Sequence, residues 1–285
     1  MNQNIYLKKK LASNWFILLQ EIICYEFEKI EEEFGKKNRL KPKFFNRIKW
    51  KKSNTKNEGG GISATIKNGL VFDKVGVNFS EVYGNFNKNL RLKIPGAKKK
   101  ANYWASGISI VAHMKNPKIP AMHLNTRFIV TQKNWFGGGI DSTPCIIDLR
   151  ERKMFHKKLQ NMCNRHNKNY YKKYKKWCDN YFYLPHRKEM RGIGGIFFDY
   201  KQDNWKNNFN FTKDVGLCFL DYSKNIIKNR MLTKWTKKEK KRQLIKRGRY
   251  IEFNLLYDRG TKFGLNTGGN IEAILMSLPP EAKWE

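Results

Sequence analysis

The chain has 285 residues, and its 58 Lys and Arg against 24 Asp and Glu give a formal net charge of +34. Hydrophobic residues at 40% and aromatics at 14% exclude a disordered tail, which lacks the side chains to build a core. The most apolar segment, Trp15–Leu19, runs into Gln20 and Glu21, far short of the roughly 20 apolar residues that cross a bilayer.

In chain order, Met1–Lys10 leads into an amphipathic stretch, so no cleaved leader is expected. Phe16, Leu19, Ile23, Phe27, Ile30 and Phe34 recur at three and four, predicting a helix over Ser13–Phe34 with one apolar face. Ser13 can cap its start and Gly35 can end it. Lys36–Asn57 is basic and weakly periodic and reads as a loop or linker. Residues 1–57 are thus expected to be a helix and a basic linker packing on a main domain formed by residues 58–285.

Ile108–His113 and His123–Val130 read as strands joined by a loop containing Pro117 and Pro120. Strand alternation puts His123, Asn125 and Arg127 on one face, with Leu124, Thr126 and Phe128 on the other. In the first strand Ser109, Val111 and His113 share a face. A wall of His, Asn and Arg suits an anion site, and also fits the solvated face of a half-buried strand. Helices follow around Met154–Asn164, Tyr170–Phe182 and Thr212–Lys228. A further helix starts at Thr236, which has capping-box spacing to Glu239. Tyr250–Asp258 alternates like a strand, grouping Glu252, Asn254 and Asp258 opposite Ile251, Phe253 and Leu255. Strands and helices do not follow a βαβ rhythm. The expected fold is α+β, a single domain with a large, mostly antiparallel sheet flanked by helices on both sides.

The positive charge comes from 44 Lys and only 14 Arg, in scattered clusters and alongside 30 Asn. That pattern suits a solvated surface drifting toward Lys and Asn better than a nucleic-acid footprint, so no specific nucleic acid is expected as a partner. Five widely spaced cysteines with no C-x-x-C fit buried free thiols in a reducing compartment. The clusters Gly59-Gly60-Gly61, Gly137-Gly138-Gly139, Gly192–Gly195 and Gly268-Gly269 match neither a Walker loop nor a dinucleotide fingerprint, and each reads as a tight turn before a ligand cradle. The histidines His113, His123, His156, His166 and His186 show no zinc-protease spacing. Asp141, beside the second glycine triplet, reads as a helix cap or as a base.

Longer blocks are more specific. They include Gly59-Gly60-Gly61-Ile62-Ser63, Val71 to Ser80, His123-Leu124-Asn125-Thr126-Arg127-Phe128 and Trp135 to Pro144. Lys175 to Asp179, Pro185-His186-Arg187, Arg191 to Asp199, Arg247 to Asn254, Tyr257 to Thr261, Thr267-Gly268-Gly269 and Ile274 to Pro280 follow. In this order, over roughly residues 58–284, they resemble the oxygen-dependent coproporphyrinogen III oxidase family. The resemblance implies an enzyme of haem biosynthesis that decarboxylates the ring A and B propionates of coproporphyrinogen III oxidatively to vinyl groups. The product would be protoporphyrinogen IX, with CO2 and hydrogen peroxide released. Molecular oxygen would be co-substrate, with no organic cofactor and room for a divalent metal cation. A cytoplasmic homodimer without a membrane span is implied, with residues 250–285 contributing to the dimer contact.

Carried over by position, the family's substrate residues fall on Ser109, Asn125, Thr126, Arg127, Gly268, Gly269 and Asn270. Its metal-assigned histidines fall on His113, His123, His156 and His186, and its proton donor on His123. Asp141, on the family's triple-glycine turn, is the candidate for the carboxylate beside the pyrrole N–H. Asp258 and Arg259 are secondary candidates, equally readable as an ion pair at a sheet edge or dimer contact. Where the family carries arginines, this chain has Ile62, Ala64 and Asn270, so three positions near the substrate are expected to be neutral. Two other readings stay open: a porphyrinogen-binding relative without turnover, and a basic nucleic-acid-binding protein.

Overall fold

A computed structural model describes residues 3–266 and 270–284. Helix α1 (Gln3–Asn38) is followed by β1 (Asn46–Lys51), β2 (Gly59–Lys67), β3 (Phe72–Asn85), a short α2 (Lys88–Lys93), β4 (Asn102–Met114), β5 (Ala121–Val130) and β6 (Asn134–Thr143). Then come α3 (Leu149–Asn164), α4 (Tyr170–Tyr181), the hairpin strands β7 (Tyr183–Leu184) and β8 (Glu189–Met190), and β9 (Gly195–Lys201). The chain ends with α5 (Trp205–Arg230), α6 (Lys237–Leu256), α7 (Arg259–Asn266), α8 (Ile271–Ile274) and a 3-10 turn, Leu275–Ser277.

Seven strands form one antiparallel sheet in the order β1-β2-β3-β4-β5-β6-β9. The expected α+β architecture is what forms. One face is apolar. Val75 and Val77, Ile108 and Ile110, Leu124 and Phe128, Phe136 and Ile140, and Ile196 and Phe198 are buried there. They belong to one cluster with Phe16, Leu19, Ile23, Phe27 and Ile30 of α1 and Phe211, Val215 and Phe219 of α5. The three-and-four apolar spacing of α1 is therefore the stripe that seals the sheet.

The helix is longer at both ends than its apolar spacing indicates. It begins at Gln3, so Ser13 is internal and its hydroxyl donates to Glu81 instead of capping. It passes Gly35 and stops at Asn38, where Arg39 turns left-handed at φ 57°. The expected linker contains β1, an edge strand exposed everywhere except at Trp50, which is half-buried. An edge strand held by backbone pairing has no need of apolar alternation, so its pattern carried no strand signal. Tyr250–Asp258 is not a strand. Leu244, Arg247, Tyr250, Phe253 and Asn254 are buried at helical spacing and continue α6, whose Thr236–Glu239 capping box is present. Alternation over six residues cannot separate the two periods.

Two glycine triplets lie in strands and not in turns: Gly59–Gly61 opens β2 and Gly137–Gly139 sits within β6. Asp141 is consequently a mid-strand residue and caps no helix.

Candidate active site

Residues paired in register across a sheet share a face. One row runs Ile48, Ser63, Asn78, Ser109, Asn125, Gly139, Phe197 through all seven strands. The adjoining rows carry Thr65, Gly76, Val111, His123, Asp141 and Gly195 on one side, and Trp50, Gly61, Ser80, Gly107, Arg127 and Gly137 on the other. This second face is polar, glycine-rich and half-open, the reverse of the α1-covered one. Ser109, His123, Asn125 and Arg127, expected on one wall, do lie together here and are all half-buried.

The cleft is bounded by distant segments. The 3-10 turn closes the His113 side: Met276 packs over Gly76, and the Ser277 carbonyl lies 2.8 Å from His113 Nε2. At the β9 edge Tyr181 stacks on Phe197 with ring centroids 4.8 Å apart.

His123 Nδ1 is 2.6 Å from Asp141 Oδ1, its register partner. The other oxygen, Oδ2, accepts from Arg191 Nη2. Asp141 and Arg191 are each 3% exposed. The guanidinium carbon lies 4.0, 4.4 and 4.8 Å from the ring centroids of Phe182, Tyr250 and Phe253. Burial alone would push the Asp141 carboxyl up, but the Arg191 charge and the His123 contact outweigh it, and the net shift is below its ordinary 3.8. Asp141 thus has both oxygens partnered within the protein, one by His123 and one by Arg191. It anchors His123 through Nδ1 and leaves Nε2 as the nitrogen able to exchange a proton in the cleft.

Arg127 donates through Nη1 to Asn125 Oδ1 at 2.9 Å and through Nη2 to Asp199 Oδ2 at 2.6 Å. Asp199 reaches it across β6 because Gly137 has no side chain; a Cβ there would lie 2.3 Å from Asp199 Oδ1. The next residue, Tyr200, sits at φ 55° in the irregular β6–β9 pairing that produces this turn of the chain. Two polar donors of the guanidinium are used, leaving others for an anion.

The remaining expected residues with a described structure have other surroundings or partners. Thr126 is 0% exposed on the apolar face, with its hydroxyl unpartnered, so its side chain does not join Asn125 and Arg127. Ala64 is fully buried on that same face, and Ile62, two residues back along β2, also points there, so neither neutral position lies near the cleft. Asn270 caps α8, accepting from Ala273 N at 2.9 Å. Gly268 and Gly269 lie outside the described residues. No ion pair joins Asp258 to Arg259 among the described residues. Asp258 caps α7 through Thr261 and accepts from Tyr181 at 2.7 Å.

The four histidines named for a metal do not gather. His113 is 1% exposed and pushed down to about 3 by burial, with Arg247, Lys74 and Arg191 adding cationic pressure, a setting hostile to a further cation. His156 Nε2 faces the Ile193 carbonyl at 2.9 Å. His186 bridges Glu252 at 2.7 Å and Tyr257 at 2.9 Å. Among the described residues no three His, Cys, Asp or Glu side chains could hold one ion. The described residues of one chain thus do not fit a metal centre.

Sequence reasoning missed the roles of Arg191, which lies 50 residues beyond Asp141, and of Asp199. Both stand in blocks that carry the resemblance, but their partners become visible only through strand pairing.

The fold and site define a class: an antiparallel sheet whose polar face carries a carboxylate-held imidazole, His123, and an arginine, Arg127, that keeps free donors. The coproporphyrinogen III oxidase family model matches residues 12–285, and the chain belongs to that family. An oxygen-dependent coproporphyrinogen-III oxidase of Rickettsia bellii (strain RML369-C) is 53% identical over 277 residues, covering 97% of this chain and 98% of that protein. Those of Rickettsia akari (strain Hartford) and Rickettsia rickettsii (strain Sheila Smith) are 52% and 51% identical over the same length.

Proposed function

We propose that this chain is an aerobic coproporphyrinogen III oxidase of haem biosynthesis. It converts the ring A and B propionates of coproporphyrinogen III to vinyl groups and yields protoporphyrinogen IX. For each propionate the β-carbon loses a C–H, the bond to the carboxyl carbon breaks, and CO2 leaves. Dioxygen accepts the two electrons and, with two protons, becomes hydrogen peroxide. The electron-rich porphyrinogen is itself the reductant, so no organic cofactor enters, and no step is routed through a metal.

The observation that carries this reading is the His123–Asp141–Arg191 chain opening onto the polar floor beside Arg127. Arg127 holds a propionate with the guanidinium donors that Asn125 and Asp199 leave free. His123 exchanges a proton through Nε2 while Asp141 fixes its ring and balances the imidazolium. Ser109 and Asn125 supply neutral hydrogen bonds beneath the macrocycle. A contribution of Gly268, Gly269 and Asn270 to substrate binding is part of this proposal, carried by the family resemblance.

A homodimer contact through residues 250–285 completes the reading. Leu255, Leu256 and Ile271 are exposed apolar residues there, a surface that a second copy would cover. The five cysteines are all unpaired and buried, which supports a reducing compartment, the cytoplasm. Among the described residues no helix is long and apolar enough to cross a membrane.

The test is to mix purified protein with coproporphyrinogen III without oxygen and then admit oxygen. Tricarboxylate and dicarboxylate porphyrinogens should appear only after admission, with CO2 and peroxide in equal amounts. A folded protein that yields neither would refute the assignment. Duplex binding that survives at 150 mM salt, about the physiological ionic strength, would favour the nucleic-acid alternative.

A further inference from the structure

The central polar row continues past the residues used so far, through Asn78 on β3. Asn78 is half-buried, faces the cleft and lies two strands from Asn125, roughly 10 Å away at ordinary strand spacing. Trp50, on the edge strand, donates through its indole Nε1 to Asn78 Oδ1 at 3.2 Å. An indole has a donor and no acceptor, so the amide must turn its oxygen to Trp50 and its NH2 away from it. That NH2 has no partner among the described residues. The indole reaches this position because Gly61 lacks a side chain; a Cβ there would lie 2.7 Å from the Trp50 ring. A tryptophan, a glycine and an asparagine on three strands thus fix two N–H donors over the cleft floor.

We propose that Asn78, oriented by Trp50, binds a carboxylate of the tetrapyrrole that is not reacting, anchoring the macrocycle at the end of the cleft away from His123. This rests on the reading of the cleft as a porphyrinogen site and adds to it a second anion contact, far from Arg127. The substrate carries four carboxylates, and Arg127 and the reaction centre engage only those near β5. A macrocycle lying along the row brings its opposite edge over β3. There a neutral amide holds a carboxylate by charge-assisted hydrogen bonds. The hydroxyls of Ser63 and Ser109, its register neighbours, flank it.

Asn78→Asp separates the roles. The aspartate keeps an oxygen for the Trp50 N–H but replaces the NH2 with a second oxygen that repels a carboxylate. KM for coproporphyrinogen III should rise about tenfold or more, as for loss of a charged hydrogen bond, while kcat changes little. Trp50→Phe keeps a ring over Gly61, releases the amide, and should raise KM in the same direction by less. An unchanged KM in a folded Asn78→Asp enzyme with normal wild-type turnover overturns the anchor and leaves the reaction intact. If Asn78→Asp does not fold, an unchanged KM in Trp50→Phe overturns it. If the wild type shows no turnover, the reaction is refuted separately. Binding of coproporphyrin III, read by tryptophan quenching, then decides: weaker binding by Asn78→Asp than by wild type supports the anchor, and equal binding ends it.

Discussion

Asp141→Asn tests the centre of the site because it removes one charge and almost no volume. In the wild type Arg191 is buried among Phe182, Tyr250 and Phe253, and Asp141 is its charged partner. The amide leaves that guanidinium buried without an anion, and breaking one side of a buried ion pair costs about 3–5 kcal/mol. For a domain of this size each kcal/mol moves the melting temperature by about 2–4 °C, so a fall of about 6–20 °C is expected by calorimetry or circular dichroism. Turnover should fall by about 10²–10⁴, the usual contribution of a positioned general acid or base. Asp141→Asn combined with Arg191→Met removes both charges and fills the aromatic cage, so it should recover most of the stability and none of the turnover. The pH dependence follows from the depressed Asp141 value. The stabilisation is present above its ordinary 3.8 and is lost as pH falls through the lower folded value. A single variant that melts with the wild type, or a double variant no more stable than the single, would refute the assignment of Arg191 as the charge that holds Asp141.

Other outcomes follow from the same geometry. His113 titrates near 3 in the fold against an ordinary 6.5, so the unfolded chain takes up its proton first. Stability should be full above 6.5 and decline toward 3 by about 1.4 kcal/mol per pH unit; urea unfolding at pH 7 and 5 should show a shallower decline in His113→Gln, and equal declines would exclude this source. Thr126→Val should leave KM unchanged and stability within about 1 kcal/mol, because its hydroxyl is buried, unpartnered and on the wrong face; a higher KM would return Thr126 to the substrate contacts. Ala64→Arg, which brings back a family arginine, should cost about 3 kcal/mol or more beneath α1 and bring no gain in kcat/KM; improved turnover would place position 64 at the cleft after all.

The local periods already held much of this protein. The alternation of β5 put His123, Asn125 and Arg127 on one face, the three-and-four spacing of α1 marked its buried stripe, and the Thr236–Glu239 spacing started α6. Those are properties of a single strand or helix, readable because side-chain direction follows backbone period. The motif blocks added the family. Tertiary structure decided whatever depends on neighbours. Which residue faces His123 is set by the β5–β6 register, and which cation holds Asp141 by a loop 50 residues further on. Thr126 and Ala64 stand inside motifs yet point into the core, since a motif groups residues by order while a strand sends successive side chains to opposite faces. The glycine triplets looked like turns because glycine marks any close approach, and only the packed sheet showed that one admits Trp50 and the other Asp199. Pairing between strands distant in sequence creates the cleft, and no single segment carries the energy that selects it.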